Sequence, residues 1–341
     1  MDTSSWCGGI TIETQVVSLT DGRAITLGTK GAYVPGAAGA LYLNQQDVDN
    51  ISAGNVRIGD TTSGQISLAG DITISAFDTL SLKTRADIIG TGRITVNNLD
   101  LFATKGVALT GENNVNNVTG NLRQNTFTFN NAGSFAVGAS GIQTAAAQIN
   151  ISLTTTSGDI TLNGPVSSGG GSGSIFIRAN NGQFANTSSG TLSAGGSTIT
   201  IESDTINIGG QISANAGIYL RPNNPASTIS INDATANYNL TTTQLMLLDS
   251  TGGVEVGRTN GSGAISIGSL GPVNLSSETY NLTVYGGSLT NQGNLTMGPT
   301  QQFAAFVDSI AIISNITAPV SYTHLRAHET KANLVCRLLL E

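Results

Sequence analysis

The residues with the best claim to chemistry are carboxylates two apart in strand-like surroundings. Glu202 and Asp204 sit between Ile199/Ile201 and Ile206/Ile208, so a period of two puts both acids on one outward side of an extended segment. Such a pair can hold calcium or divide acid and base roles in glycoside cleavage. Asp47 and Asp49 repeat the spacing. Both pairs are read as solvated charges that keep a flank soluble. His324, His328 and Glu329 stand at helical spacing with Cys336 beyond them, the ingredients of a metal or nucleophile cluster, but their whole segment is set aside below. Cys7 and Cys336 lie near opposite ends, in neither a disulfide framework nor a zinc spacing. Gly169–Ser174 lacks the Asp of a calcium-binding nonapeptide repeat, and no phosphate loop, nucleophile elbow or dinucleotide fingerprint occurs. The expectation is therefore no catalytic residue, no metal ligand and no cofactor. Asn-x-Ser/Thr triplets at Asn150, Asn281, Asn294 and Asn315 follow from Asn, Ser and Thr alternating with Leu and Ile; glycosylation there is a minor hypothesis.

The elements that must carry these residues are short strands. Between Asn55 and Ser75 the pairs Val56/Ile58, Ile66/Leu68 and Ile72/Ile74 alternate with polar residues and are separated by corners containing Gly, Asp and Ser. The same unit recurs at Leu80/Leu82, Ile94/Val96, Ile160/Leu162, Ile175/Ile177, Ile199/Ile201, Ile229/Ile231, Val254/Val256 and Ile265/Ile267. A strand this short, bent at each corner, pairs with its counterpart one coil on; at about 20 residues per coil the result is a solenoid. The fold class predicted is all-β, a right-handed parallel β-helix over residues 10 to 318. Its core should hold Ile66, Leu68, Ile72, Ile74, Ile160, Leu162, Ile175 and Ile177. Within it, Gly31–Gly39 reads as a surface loop and Leu41–Asn50, with Gln45, Gln46, Asp47 and Asp49 around Val48, as one short helical turn or an irregular coil. Asn113, Asn114, Asn116, Asn117, Asn130 and Asn131 suit corners and stacked ladders, Ser140–Gln148 a bulge, and Ser167–Ser174 a long mobile corner.

Composition agrees. Gly numbers 43 while charged residues make up only 10%, as tight corners and an aliphatic interior require. A net charge of −7 opposes attraction to nucleic acid or anionic lipid. There is neither a signal-peptide pattern nor an apolar stretch long enough to span a membrane, and strand rhythm starts by Ile10, so the chain is expected to begin inside a longer repetitive protein.

A second level of repetition lies above the coils. Ala53-Gly-Asn-Val-Arg-Ile-Gly-Asp, running on to Gln65-Ile-Ser-Leu68, is echoed by Thr251-Gly-Gly-Val-Glu-Val-Gly-Arg, running on to Ala264-Ile-Ser-Ile267. Two related modules, about 41–100 and 240–290, are thus expected in a repeat body of 1–319. The text from Ile51 through Asp60 and from Gly64 to Leu68 resembles the modules of filamentous haemagglutinin-like exoproteins, surface adhesins exported by two-partner secretion in Gram-negative bacteria. The resemblance covers roughly residues 10 to 318; the family's secretion domain is not recognisable. It implies a surface-exposed or secreted adhesive shaft, an outer-membrane transporter of the two-partner type as export partner, and glycans or proteins of other surfaces as ligands. Binding is then expected at corners such as Gly31–Gly39 or Ser167–Ser174. Parallel β-helices also house polysaccharide lyases and glycosidases, the alternative reading, which needs clustered charges and aromatic platforms; here Trp6 is the sole Trp and the Tyr residues look scattered.

Residues 320–341 break every pattern. Back-translated, Val320–Thr330 resembles the transposase-end adaptor of a short-read sequencing library, and Leu334 onward fits the adaptor's outer end, so the segment is read as a non-native tail. It contains both His, together with Arg326, Lys331 and Arg337 against Glu329 and Glu341, which leaves a body of 11 basic and 19 acidic residues, net −8.

Overall fold

The computed structural model describes residues 22–30, 40–144, 149–233 and 236–318, and the backbone of 12–17 and 320–325. Within these the chain is a parallel β-solenoid of about 12 turns. Each coil has three faces. On face I, parallel register stacks like on like: Ile25, Ile66, Ile88, Val107, Phe127, Ile151, Ile175, Ile199, Ile218, Val254, Leu282 and Phe303 form one column, each paired with the next. All twelve are at most 1% exposed. Fully burying such a side chain is worth about 1.5–3 kcal/mol, an upper figure because the unfolded chain is itself partly collapsed. The eight core residues expected from alternation are all buried.

Corners are closed by polar side chains that replace ladder hydrogen bonds. Asn113 is fully buried; its Oδ1 accepts from Ile94 N at 2.9 Å and its Nδ2 donates to Asn130 O at 2.9 Å. On the outside, Asn116 donates to Asn97 at 2.7 Å and Asn117 to Asn98 at 2.9 Å, and Asn97 and Asn98 both donate to the Asp78 carboxylate. The register against Val118–Gly120 slips between Val137 and Ile142, so the bulge begins just ahead of the Ala-rich stretch; residues 145–148 lie outside the described residues. Ser167–Ser174 is not a free corner. Ser168 Oγ donates to Gly173 O at 2.7 Å, Ser174 N to Asn150 Oδ1 at 2.9 Å, and Gly196 N to Gly171 O at 2.8 Å, so the coils on either side tie it down. Gly31–Gly39 lies outside the described residues.

Two coils are enlarged. The face I step from Ile25 to Ile66 is 41 residues and that from Ile218 to Val254 is 36, against 24 for Phe127 to Ile151. Each enlarged coil carries an extra strand on the edge of the one before it, Leu41–Leu43 against Ile25–Leu27 and Tyr238–Leu240 against Ile229–Ile231. A short helix follows, α1 (Gln45–Asp49) in the first and α2 (Thr242–Leu245) in the second, each opened by a capping box, Asn44 with Asp47 and Thr241 with Gln244. Gly59 and Gly257, aligned by the sequence echo, then sit at φ of +79° and +100° on different corners, one leading into face I and the other out of it. A Cβ there would meet the carbonyl of the next coil, Lys83 O at 2.4 Å or Tyr285 O at 2.1 Å.

The second enlarged coil is also a joint. On face I the ladder runs straight through it, Ile199 to Ile218 to Val254. On face II a separate five-stranded sheet starts at Tyr238–Leu240, and on face III a three-stranded one starts at Val273–Leu275. Among the described residues, no ladder links either to the strands beneath. At the far end, the backbone of Val320–Leu325 pairs in parallel with Gln302–Val307, although alternation had predicted an end to strand rhythm before Val320. An open parallel edge is a template on which an extended segment can pair whatever its sequence.

Candidate functional site

The joint gathers most of the unusual side chains. Glu202 points outward from face I, as alternation requires, but it is not solvated: only 4% of the residue is exposed. Arg178, its neighbour one coil down, donates Nε to Oε2 at 2.6 Å and adds a second contact through its terminal nitrogen. Arg258 reaches Oε1 at 3.2 Å and also donates Nε to Pro222 O. The expectation of a solvated Glu202/Asp204 pair is therefore corrected. Two arginines, one 24 residues before the carboxylate and one 56 after it, close over it, and spacing along one strand does not reveal them. Ser203, on the inward side of the same strand with Ile199 and Ile201, is fully buried. Asp204 faces elsewhere, into a polar cleft of about 680 Å³ with Asn181, Asn223, Asn224 and Asn237.

Asp47 and Asp49 are exposed, and each has a local task. Asp47 accepts from Asn44 N at 2.9 Å to complete the helix cap, and Asp49 accepts from Gln45 Nε2 at 2.7 Å. The four Asn-x-Ser/Thr asparagines are exposed, and two of them brace corners: Asn150 accepts from Ser174, and Asn281 from Gln302 N at 2.8 Å. Among the described residues no group of three His, Cys, Asp or Glu is placed to hold a metal. Trp6, Cys7, His328, Glu329 and Cys336 lie outside the described residues, and His324 is described by its backbone alone.

Packed into the joint are two buried tyrosines. Tyr280 donates its hydroxyl to Leu245 O at 3.0 Å, tying α2 to the coil above. The Tyr238 hydroxyl lies near Ser203, but neither oxygen makes a well-formed hydrogen bond. Burial pushes both phenols upward in pKa; for Tyr238, Ser203 and Arg258 pull the other way.

Two of the tyrosines that look scattered in sequence, Tyr219 and Tyr285, come near each other on face I. Register sets Tyr219 beside Glu255, and Gly257 beside Tyr285 beside Phe306. Arg221 lies over the Tyr219 ring at 5.0 Å, and Tyr285 and Phe306 stack at 4.9 Å with planes 13° apart. Burial raises the Glu255 carboxyl above its ordinary pKa, with Arg221 opposing. Tyr285 is raised by burial, then by Glu255 and Tyr219. An upward-shifted carboxyl has the property of a general acid, but glycoside cleavage needs a second carboxylate at the same bond. Glu202, with 5% of its side chain exposed, is locked between arginines, and Asp204 opens into a different cleft.

No family model, curated protein or solved structure matches the chain. The fold and site together define a long parallel β-solenoid with an aromatic and charged stripe along one face.

Proposed function

We propose that this chain is a length of shaft from a large bacterial surface adhesin, of the filamentous haemagglutinin-like type that its modules resemble. In this reading it is extracellular, threaded through an outer-membrane transporter of the two-partner type, and holds binding surfaces away from a Gram-negative cell without catalysing a reaction. The observation that carries the reading is the face I column, twelve buried residues in unbroken parallel register through two enlarged coils. Such a rod transmits load along its axis and can be lengthened coil by coil with no new long-range fit. Low charge and an aliphatic core suit a polymer that crosses a membrane unfolded and folds outside.

A second reading, a polysaccharide lyase or glycosidase, is favoured by one observation, the raised Glu255 beside Arg221 and the face I aromatics. One experiment separates the two: purified chain incubated with cells and with a polysaccharide panel, scored for saturable binding and for new chain ends. Binding without cleavage is expected; cleavage abolished by Glu255→Gln would establish the enzyme instead.

A further inference from the structure

We propose that the groove beside Tyr285 and Phe306 binds a neutral saccharide, which deepens the shaft reading by giving it a ligand class and a place. The groove lies where face I turns toward face II, just above the joint, and measures about 470 Å³. That is within the usual range for small-ligand sites, roughly 300–1,000 Å³, and large enough for a disaccharide. One wall is the Tyr285/Phe306 stack, an apolar surface about two coils tall, on the order of 10 Å. The other is the corner Thr259, Asn260 and Ser262, with the Asp308 carboxylate completing the lining.

Each feature narrows the ligand. An aromatic wall facing hydroxyl, amide and carboxylate groups fits a molecule with one C–H-rich face and a rim of hydroxyls, which describes a sugar ring. A wholly apolar ligand would strand the polar wall. The residues that line the groove include no cation; Arg258 is held at Glu202 and Pro222 beside an adjoining pocket, and Arg221, whose charge reaches the Tyr285 phenol, lies over the Tyr219 ring. With Asp308 in the lining and a net charge of −7, acidic sugars and phosphates are disfavoured. The walls are held by the ladder itself. Gly287 N donates to Gly263 O at 2.8 Å, Asp308 N to Gly287 O at 2.9 Å and Gly286 N to Phe306 O at 3.2 Å, so little ordering remains for the ligand to impose. The site thus sits on strands and a bonded corner, not on the loops Gly31–Gly39 or Ser167–Ser174.

The test is saturation-transfer NMR and calorimetry on the full chain with maltose, cellobiose, lactose and N,N′-diacetylchitobiose, and with digalacturonate as the acidic counterpart. At least one neutral disaccharide should bind while digalacturonate does not. Tyr285→Ala should weaken binding at least about tenfold and Asp308→Asn roughly threefold to tenfold, the size of one lost stacking or hydrogen-bonding contact. Phe176→Ala, which removes a face I aromatic below the joint, should leave it unchanged. Asp308 is exposed, so its variant tests the site even if Tyr285→Ala proves unstable. Failure of all four neutral disaccharides to bind, preference for digalacturonate, or binding unchanged by Asp308→Asn overturns the groove. Saturable cell binding that survives Tyr285→Ala overturns the groove while leaving the shaft standing. Cleavage of a bound disaccharide overturns the shaft reading and makes the groove a substrate site.

Discussion

Between Phe127 and Ile199 the solenoid advances in three equal steps of 24 residues, and the polar side chains buried there, Asn131, Thr155, Ser168 and Asn186, sit at strand ends and corners. Between Ile218 and Val254 it advances by 36, keeps ladders on face I and on the face of Ile212 and Leu248, loses the one on face II, and buries Glu202, Ser203, Ser230, Asp233 and Ser250 nearby. The contrast shows what register does. Where each strand lies on a like strand, backbone hydrogen bonds close the ladders and buried polar side chains are needed only at the corners, as Asn131 and Asn186 are. Where extra residues interrupt the face II ladder, side chains also satisfy the layer: Ser266 donates to Asp233, Ser250 Oγ to Ala214 O at 2.6 Å, and an Arg–Glu–Arg cluster covers the outside. In a structure whose coils touch only their neighbours, a joint of this kind is where cooperativity should divide.

The largest effect is therefore expected from Tyr238, a fully buried ring between the coils below and above the joint. Tyr238→Ala should cost about 3–5 kcal/mol and split thermal unfolding into two transitions, with amides of 229–249 exchanging first. Phe184→Ala empties a comparable volume in a regular layer, paired on both sides to Ile160 and Ile206. It should cost about as much without a split. Calorimetry and hydrogen exchange read both, and a single transition in Tyr238→Ala would erase the distinction drawn between the regions.

Arg258→Ala should come next, at about 2–3 kcal/mol. It leaves Glu202 with Arg178 alone, whose side chain is 43% exposed; the full loss of a buried ion partner is about 3–5 kcal/mol. Arg178→Ala should cost less, because Arg258, at 20% exposure, is the better shielded of the two. Urea titration gives the order, and the reverse order would place the weight on the lower coil. The two tyrosines sharpen the point further. Tyr280→Phe gives up the bond to Leu245 O and should lose about 1 kcal/mol, whereas Tyr238→Phe removes a hydroxyl with no well-formed partner and should be neutral or stabilising.

Alternation alone was enough to read the solenoid, because Ile66/Leu68 or Ile175/Ile177 can bury only one side of a strand, and corners every few residues forbid hairpins. Val48 amid polar residues left Gln45–Asp49 between a helical turn and an irregular coil, and the Asn44/Asp47 capping box makes it a helix. The stripe was not. Tyr219 meets the Glu255 strand 36 residues on, and Tyr285 meets Phe306 after 21, so no single period aligns them. Unequal coils hide columns from anyone counting along the chain. Glu202 was misplaced for a related reason: its direction follows from its strand, but its burial depends on arginines from other coils. The one available signal was the echo of Ala53–Leu68 in Thr251–Ile267, which aligns Gly257 with Gly59 in sequence and marks the enlarged coil.

The smallest effect concerns Glu255, which has one nearby cation where Glu202 has two. Burial raises its carboxyl above the ordinary 4.5, so the folded chain takes up that proton more readily than the unfolded chain does. The group's contribution to stability is then complete below about pH 4.5 and is lost as pH rises through the raised value. Glu255→Gln has no such titration. Its melting temperature should match the parent's at acidic pH and exceed it increasingly as pH climbs to neutrality, and the gap should widen when Arg221 is also changed to Ala, because Arg221 offsets part of the cost. If Glu255→Gln instead melts lower at neutral pH, attraction to Arg221 outweighs burial.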